Sequence, residues 1–521
     1  MMGSLLCCVS PVLRMQKDKL FSFWFAFILI AALACAMRAY DIESRPLHSD
    51  EGVNWHFLQE MSRTGVYPYS HENYHGPAYF WLSFSLTRIF GESVLGMRLA
   101  SILSGLLLLP VLIVVRPLAG SRFVLLAALL LAVSPSMVFH SRYGIHEMLF
   151  ILSSALFALN LYRLLQAEDL RCIYFLACAL ALLIATKETF VITLAAVGLP
   201  ALLLAAGSYR RFMQFIRAEA IHFPQALLLL SSIVILFYSS GLRSFKGVRE
   251  LFFSIPQWIG RGTTSDPGHF KPRMYYLKNL IWETEPYLPL LFTAACLILL
   301  FVLFLSPRTV RQSLHEQRNK FGFFLFSWAV LIGLVYSFIP YKTPWLVINI
   351  TFPALLFCAW LLNSIWDWQG TFAAAAALVF TVIVLYAVKS TVTLNYSGSA
   401  LPAPLAKHLH CVPYGSPNPF SYVYTSPGML EVVQRIKEYW QTHPQAKVLV
   451  GTKGYWPLPY YLREKSLQAG YFVPENIEQY TGEYEIILVD HFRPWKNTDW
   501  PATYYRLSDV TEAFFYQRPQ H

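Results

Sequence analysis

Long apolar runs alternate with short polar segments along the first 390 residues of the chain. Eleven of these runs are long enough to cross a bilayer, or nearly so. They lie at roughly 21–38, 96–115, 122–139, 147–163, 172–186, 189–207, 224–241, 286–305, 321–340, 345–362 and 371–389. The pattern predicts a mainly α, polytopic membrane bundle of about eleven transmembrane helices, with Lys187 and Glu188 dividing the fifth run from the sixth.

The pattern changes from about residue 391. Two segments rich in Pro, Gly and Ser predict a linker and an irregular loop, at 397–404 and 413–419. After them, the spacing of apolar residues predicts a helix at 427–441, and an aromatic cluster predicts a short helix at 456–462. Two apolar runs, at 447–451 and 485–490, predict buried strands. We therefore predict a transmembrane domain of residues 1–390 and a small α/β domain of residues 391–521 outside the membrane.

Composition supports a membrane protein and argues against a nucleic-acid partner. The 521 residues are 56% hydrophobic and 14% charged, whereas a soluble protein carries about a quarter charged residues. The net charge of +11 lies entirely in the membrane part, because residues 391–521 hold 11 Lys+Arg against 11 Asp+Glu. Such a charge distribution indicates membrane topology and anionic lipid substrates.

The cysteines and the N-terminus add two constraints. Most of the eight cysteines fall within apolar runs, none has metal-ligand spacing, and the C-terminal domain contains only Cys411. The first apolar run follows a basic patch formed by Arg14, Lys17 and Lys19. Because no small-residue cleavage site follows it before the acidic motif, we predict an uncleaved first helix.

The distribution of basic residues predicts the orientation of the bundle. One alternating set of connections holds fourteen cations: Arg14, Lys17, Lys19, Arg116, Arg122, Arg163, Arg171, Arg210, Arg211, Arg217, Arg308, Arg311, Arg318 and Lys320. Under the positive-inside rule these connections face the cytoplasm. The N-terminus is then cytoplasmic, and the C-terminal domain lies outside the cytoplasmic (inner) membrane.

The opposite set of connections carries the candidate chemistry. An outer loop of residues 39–95 contains Asp50 and Glu51, with two segments predicted to be interfacial helices, 51–61 and 79–89. Three short turns each carry a single cation against the topological bias, at Arg142, Lys187 and Lys342. An acidic pair that shares one membrane face with isolated cations predicts a site for a phosphate-bearing substrate.

A second outer loop, residues 242–285, has the composition of a lid. It holds seven cations, Arg243, Lys246, Arg249, Arg261, Lys271, Arg273 and Lys278. They surround a centre at 260–268 that is rich in Gly, Thr, Ser and Pro. We predict a partly mobile cover over the acidic loop.

Each candidate residue also has a simpler interpretation. Asp50 and Glu51 suit the first turn of a helix, where carboxylates cap free N–H groups. His75 precedes Gly76-Pro77 and suits a tight turn. The three cations can extend to the interface from helix ends, with Glu147 and Glu188 neutralising two of them.

The motifs together resemble a known superfamily. The sequence is similar to the GT-C integral-membrane glycosyltransferases, in the group of protein O-mannosyltransferases and aminoarabinose transferases, and most of all to a prokaryotic branch called flippase-activity-associated proteins. The resemblance is carried by His48-Ser-Asp-Glu51, Tyr74-His-Gly-Pro77, Ser-Arg142-Tyr with Glu147, Thr-Lys187-Glu188, Lys342-Thr-Pro-Trp345, Tyr422-Val-Tyr-Thr425 and Trp456 with Tyr461-Leu-Arg463. The chain departs from relatives in His-Gly-Pro, where His-Pro-Pro is common, and in Glu147, where many have Asp.

The resemblance implies transfer of a sugar from a polyprenyl-phosphate-linked donor to a protein, glycan or lipid acceptor. Asp50 takes the role of base or acceptor anchor, with Glu51 beside it. Substrate contacts are expected from His48, Tyr74, His75, Arg142, Glu147, Lys187, Glu188 and Lys342. A divalent metal held by His48, Asp50 and Glu51 is an open alternative, since these are hard or borderline ligands.

Two other functions stay open. One is a non-catalytic factor that assists translocation or assembly of lipid-linked saccharides, in which the acidic loop only binds. The other is a secondary transporter, which the surface position of the acidic cluster disfavours because transporters bind substrate near the midplane.

Overall fold

The computed structural model describes most of the chain. It covers residues 3–72, 75–167, 169–207, 209–263, 269–305, 316–368, 370–397, 401, 404, 408–414, 416–492, 494–495 and 499–519. Four predicted features lie wholly or partly outside these residues: Tyr74, the cations Arg308 and Arg311, residues 264–268 of the lid centre, and residues 398–400, 402–403 and 415 of the two segments rich in Pro, Gly and Ser.

Most of the described residues before 396 are helical. The helices are α1 Gly3–Ala39, α2 Ser49–Thr64, α3 Pro77–Phe90, α4 Val94–Val111, α5 Arg116–Val133, α6 Pro135–Ser141, α7 Glu147–Ala167, α8 Arg171–Thr186, α9 Phe190–Ala206, α10 Tyr209–Ala218, α11 His222–Tyr238, α12 Lys246–Thr263, α13 Trp282–Thr284, α14 Tyr287–Leu305, α15 Gln317–Phe338, α16 Ile348–Trp366 and α17 Gly370–Asn395. Two 3₁₀ turns, Leu112–Val115 and Pro344–Val347, and a π-helix, Tyr275–Ile281, extend them.

The predicted count of eleven spans is not confirmed. Six helices in the described chain are long and apolar enough to cross a membrane, and a bent pair, Tyr275–Thr284 with Tyr287–Phe301, makes a seventh. Three predicted spans, α8, α9 and α11, are apolar but only 16 or 17 residues long. The predicted run 122–139 is also broken, because Ser134 is extended and caps α6 before Pro135.

The bundle has a buried centre and a lipid-facing rim. The spans differ in the share of their most apolar stretch that is buried inside the protein. This share is 78% for the span Pro344–Trp366 but only 22% for each of the spans Phe21–Ala39 and Gly370–Asn395. The last two therefore lie at the edge of the bundle, where their apolar side chains meet lipid. Both predicted interfacial helices form, as α2 and α3.

The C-terminal domain is a small mixed α/β unit. Its elements are α18 Pro427–Thr442, β1 Val448–Gly451, α19 Leu458–Tyr461, β2 Ala469–Tyr471, β3 Ile486–Asp490, β4 Ala502–Arg506 and β5 Glu512–Gln517. The strand order is β2-β1-β3-β5-β4, with β2, β1 and β3 parallel and the last two strands antiparallel. The helix at 427–441 and the strands at 447–451 and 485–490 are confirmed; β2, β4 and β5 were not predicted.

The C-terminal domain packs on the outer loop through polar contacts. The Thr425 hydroxyl donates to the Leu47 carbonyl at 2.5 Å, and the Leu47 N–H donates to the Tyr461 hydroxyl at 2.9 Å. Gly52 of α2 lies against Trp456 and Pro457, where a Cβ would be 2.7 Å from the Pro457 Cβ. These contacts hold the start of α2 between the bundle and the C-terminal domain.

Candidate active site

The adjacent carboxylates Asp50 and Glu51 have separate environments. α2 begins at Ser49 with His48 as its N-cap, and the Asp50 N–H donates to His48 Nδ1 at 3.1 Å. The His48 N–H donates back to Glu51 Oε2 at 2.8 Å, which completes a capping box. This helical turn directs Glu51 into the protein, where the residue is 1% exposed, while the Asp50 side chain stays 44% exposed.

Both oxygens of the Glu51 carboxylate are occupied by buried donors. Arg98 of α4 binds it with two hydrogen bonds of 2.7 and 2.8 Å, and the Gly144 N–H donates to Oε1 at 2.7 Å. Burial alone would raise the pKa of Glu51, but the charge and hydrogen bonds of Arg98 hold that pKa below its usual range. The Glu51 carboxylate is therefore fully occupied by Arg98 and Gly144, and Asp50 is the member of the predicted pair whose side chain stays exposed.

Asp50 is oriented by two neighbours at the surface of this cluster. The Tyr143 hydroxyl lies 3.0 Å from Asp50 Oδ2 and 2.6 Å from His48 Nδ1. His48 in turn contacts the Tyr422 carbonyl through Nε2. Burial, together with the nearby Asp50 charge, raises the pKa of Tyr143, so its hydroxyl stays protonated and available as a donor.

Aromatic rings connect Asp50 with the Lys342–Trp345 motif. The Trp345 ring lies 6.2 Å from the rings of both Tyr143 and Tyr422, between centroids. The Lys342 N–H donates to the carbonyl of His269, which directly follows the centre of the predicted lid loop, at 2.9 Å. The outer loop, the turn after α6, the lid loop and the turn before α16 therefore meet at one end of the bundle.

A second polar cluster lies beside the first. His75 forms an isolated β-bridge with Lys187, and its ring lies 4.1 Å from the ring of His146. The Lys187 ammonium contacts the buried Glu147 carboxylate. Burial and the neighbouring His146 lower the pKa of His75 well below its usual value, so His75 is neutral at pH 7.

Gly76 explains why this chain has His-Gly-Pro at the start of α3. Its N–H donates to the Thr186 carbonyl at 3.1 Å. A Cβ at this position would lie 2.3 Å from the Ala185 carbonyl oxygen. Proline has no N–H to donate and carries a Cβ, so the close approach of this turn to α8 requires glycine.

Glu188 faces away from the Lys187–Glu147 pair. Its Oε1 accepts a hydrogen bond of 2.8 Å from the Tyr69 hydroxyl, and no ion pair between Glu188 and a cation occurs in the described part of the chain. Burial raises the pKa of Glu188 to about 7. Direct neutralisation of Lys187 therefore comes from Glu147, and the same role for Glu188 stays a prediction.

Arg142 and Lys342 occupy different environments from each other. The Arg142 guanidinium is fully buried and donates to the carbonyls of Arg38, Tyr40 and Asp41. A phosphate contact from Arg142 remains a prediction that these contacts do not favour.

Lys342 is also buried and contacts the Ile339 carbonyl, yet no carboxylate pairs with it among the described residues. Burial lowers the pKa of Lys342.

The residues proposed for a metal do not fit one. His48 Nδ1 and Asp50 Oδ2 lie 3.7 Å apart, but Glu51 is turned inward and held by Arg98. Within the described ranges, no group of three His, Cys, Asp or Glu side chains is arranged to hold a metal ion. The arrangement suits proton transfer and anion binding better than metal ligation.

Sequence reasoning gave no role to four residues of the site: Arg98, Tyr143, His146 and Tyr69. Arg98 did give a signal, because a lone arginine within the apolar run 96–115 requires a partner. His146 and Tyr69 gave none, since a histidine or tyrosine near a helix end is common and is identified only by its tertiary neighbours.

Comparisons with known proteins give one family match, which covers part of the chain. A family model described as dolichyl-phosphate-mannose-protein mannosyltransferase matches residues 74–237, which include the His75, Arg142 and Lys187 segments. No curated protein matches the sequence significantly.

Solved structures share the fold over nearly the whole chain. The crystal structure of ArnT from Cupriavidus metallidurans bound to undecaprenyl phosphate has a TM-score of 0.59 at 15% identity, covering 97% of this chain and 100% of that one. The apo structure of the same ArnT has a TM-score of 0.56 at 14% identity, with the same coverage. This multi-pass integral membrane protein therefore has the fold of ArnT, and its residues 74–237 are similar to the dolichyl-phosphate-mannose-protein mannosyltransferase family.

Proposed function

We propose that this protein transfers a sugar from a polyprenyl-phosphate-linked donor to an acceptor hydroxyl, with Asp50 as the base. The supporting observation is the position of Asp50. Its carboxylate is half-exposed and hydrogen-bonded to Tyr143, whereas the neighbouring acids Glu51 and Glu147 are buried against Arg98 and Lys187. Asp50 is thus the acid of this cluster that can receive a proton from a substrate.

The proposed reaction is a single displacement. Asp50 accepts the proton of the acceptor hydroxyl as its oxygen bonds to the anomeric carbon. The bond between that carbon and the lipid phosphate oxygen breaks, and the phosphate leaves with the electron pair. Tyr143 and His48 hold the Asp50 carboxylate in place. Because attack and departure occur on opposite faces of the sugar, the product has inverted configuration.

Lys342 is the favoured contact for the leaving phosphate. It is buried, its charge has no carboxylate partner in the described part of the chain, and its segment contacts the Asp50 cluster through Trp345. An ammonium in such a place stabilises developing negative charge more strongly than it would in water. Lys187 is the second candidate, although Glu147 already neutralises much of its charge.

The setting of the reaction follows from topology and fold. Undecaprenyl phosphate is bound in the ArnT structure with the same fold, and this supports a polyprenyl-phosphate donor here. We propose that the site faces outward from the cytoplasmic membrane, in keeping with the cations of the opposite connections. We further propose that residues 242–285 cover the site and that the domain boundary lies near residue 390.

The test is sugar transfer by Asp50→Asn, measured as label released from a radiolabelled polyprenyl-phosphate sugar in proteoliposomes. Asparagine keeps the shape of the side chain but cannot accept the proton. We expect transfer to fall by roughly 10²-fold or more, with little change in thermal stability. Lys342→Ala should instead weaken donor binding.

Glu60→Gln is the matched control, because Glu60 lies on the same helix, nearly three turns from Asp50. It should transfer at the wild-type rate. An Asp50→Asn protein that also transfers at that rate removes Asp50 from the mechanism. Wild-type protein that binds the donor but transfers nothing would favour the non-catalytic role in translocation or assembly.

A further inference from the structure

A small cavity lies beside the candidate active site and shares His48 with it. We call it the Arg45 cavity; it has a volume of about 40 Å³. Its wall includes Arg45, His48, Phe139, Asn395, Tyr414 and Tyr424. It therefore lies between the outer loop, the end of α17 and the segment that leads into the C-terminal domain.

Arg45 carries a positive charge that no described residue neutralises by direct pairing. Its Nη1 is buried without a hydrogen-bond partner, and its guanidinium lies 4.0 Å above the centre of the Phe139 ring. Among the described residues no carboxylate forms an ion pair with it, since Glu51 is held by Arg98. Burial, with repulsion from Arg98, lowers the pKa of Arg45 to about 10, so it remains charged at neutral pH. The Arg45 side chain as a whole is partly buried, but a buried guanidinium N–H group without a partner is costly and favours binding of an anion.

Asn395 offers the opposite hydrogen-bonding group in the same cavity. Its Nδ2 donates to the Thr391 carbonyl at 3.0 Å, while its Oδ1 is buried without a partner. An amide oxygen accepts hydrogen bonds only, so it suits a ligand hydroxyl. An unpaired cation and an unpaired acceptor together fit a ligand that carries both an oxyanion and a hydroxyl.

The size and position of the cavity match such a group. A water needs roughly 10–15 Å³ of this kind of volume, so the cavity has room for about three waters or one carboxylate or phosphate group. His48 lines the cavity, and its Nδ1 lies 3.7 Å from Asp50 Oδ2. A group bound here is therefore separated from the Asp50 carboxylate by a single side chain.

We propose that the Arg45 cavity is a subsite for a hydroxylated oxyanion, a sugar acid or sugar phosphate, belonging to the acceptor. Assignment to the acceptor rests on the proposed function. Tyrosine hydroxyls and Asn395 in the wall suit a polar molecule, whereas the lipid tail of the donor must remain in the bilayer. Arg45 binds the anion, and Asn395 accepts from a neighbouring hydroxyl.

The experiment measures ligand-induced stabilisation of the full chain in detergent micelles. The probes are D-glucuronate and glucose 6-phosphate, with D-glucose as the uncharged control and farnesyl phosphate to represent the donor lipid. We expect both anionic sugars to raise Tm in a saturable way and glucose to have no effect. Arg45→Gln should increase the half-saturating concentration of the anionic sugars by at least about tenfold, as expected for loss of a charged hydrogen bond.

Two further variants make the result specific. Arg45→Met keeps the packing on Phe139 and removes the unpaired charge, so it should fold at least as stably as the wild type and lose the response. Arg463→Gln is the matched control, because Arg463 lies 4.1 Å above the Tyr460 ring but does not line the cavity; its response should equal that of the wild type.

Other outcomes overturn the proposal. Absence of any anion response in the wild type would mean that the cavity holds water only. An equal response in Arg45→Gln would place the anion elsewhere, and an Arg45-dependent response to farnesyl phosphate alone would assign the site to the donor. Because the assay measures binding without transfer, it can succeed or fail independently of the Asp50 mechanism.

Discussion

The two neighbouring acids of the outer loop differ in what each side chain can do. Glu51 is enclosed by Arg98, Gly144 and the N–H of His48, so its charge is fully used in holding the start of α2. Asp50 is next to it in sequence but faces the site. In the proposed function Asp50 accepts the proton, whereas Glu51 maintains the geometry that orients Asp50.

Glu51→Gln should cost stability more than chemistry. The substitution leaves the Arg98 guanidinium buried without a counter-charge, which typically costs about 3–5 kcal/mol. We expect a much lower Tm in detergent, with transfer per folded molecule reduced less than in Asp50→Asn. The double variant Glu51→Gln/Arg98→Met removes the unpaired charge and should recover part of the loss. A Glu51→Gln protein with wild-type Tm would contradict the structural role.

We expect Glu188 to make the stability of the protein pH-dependent. Burial raises its pKa from 4.5 to about 7 in the folded protein. The folded state therefore binds more protons than the unfolded state between these values, and stability falls as pH rises through this window. The loss contributed by Glu188 is up to about 3 kcal/mol at 1.36 kcal/mol per pKa unit.

We expect Glu188→Gln to remove this part of the pH dependence. Glutamine still accepts the Tyr69 hydrogen bond but does not ionise. Thermal unfolding at pH 5 and pH 8 measures the effect: the difference in Tm between the two values should be smaller in the variant, and at pH 8 the variant should be the more stable protein. Equal pH profiles would show that Glu188 does not titrate in this range.

Among the elements, α12 differs most from the sequence prediction. The predicted loop centre at 260–268 begins instead as helix, since α12 continues to Thr263. The helix exposes Phe252 and Phe253, and its Glu250 contacts His71 of the outer loop. Such a helix has the character of an interfacial element that lies on the bilayer surface next to the site.

The mobility of α12 can be tested by hydrogen exchange in nanodiscs. Elements with few buried contacts open at low free energy. Its amides should exchange at least about tenfold faster than those of α7, and undecaprenyl phosphate should slow them if α12 covers bound donor. Exchange as slow as in α7, unaltered by the lipid, would mean that α12 is a fixed part of the bundle.

At the scale of the whole molecule, the C-terminal domain completes the site. It supplies Tyr422, whose carbonyl contacts His48, and it packs against Gly52 of α2 through Trp456 and Pro457. The position of Asp50, the proposed base, and of the residues that orient it therefore depends on two domains remaining docked.

Gly52→Ala should weaken that docking. The new methyl group would overlap Pro457, and such overpacking costs about 1–3 kcal/mol. We expect a lower Tm and faster proteolysis between the two domains. Gly198→Ala is the matched helical control, because no neighbouring atom of the described residues lies within 4 Å of the position that its methyl group would occupy; it should be neutral or more stable by up to about 1 kcal/mol. Equal behaviour of the two variants would refute tight docking.

The sequence by itself determined the membrane class, the positions of most helices and the principal elements of the C-terminal domain. These features follow from hydrophobic runs and periodicity, which are local properties of the chain. The polar motifs likewise identified Asp50, His75 and Lys342 as candidates, because polar groups next to apolar runs are unusual. The count of spans did not follow from the sequence, since short apolar helices and breaks such as that at Ser134 are not decided by composition.

Only the tertiary structure decided which charges are free. Glu51 is neutralised by Arg98, 47 residues away, and Arg142 is occupied by carbonyls about 100 residues away. The Nη1 of Arg45, by contrast, has no such partner among the described residues. Whether a charged group is paired or available depends on side chains that are distant in sequence and close in space, because electrostatic compensation is strong only at short range in a low-dielectric interior.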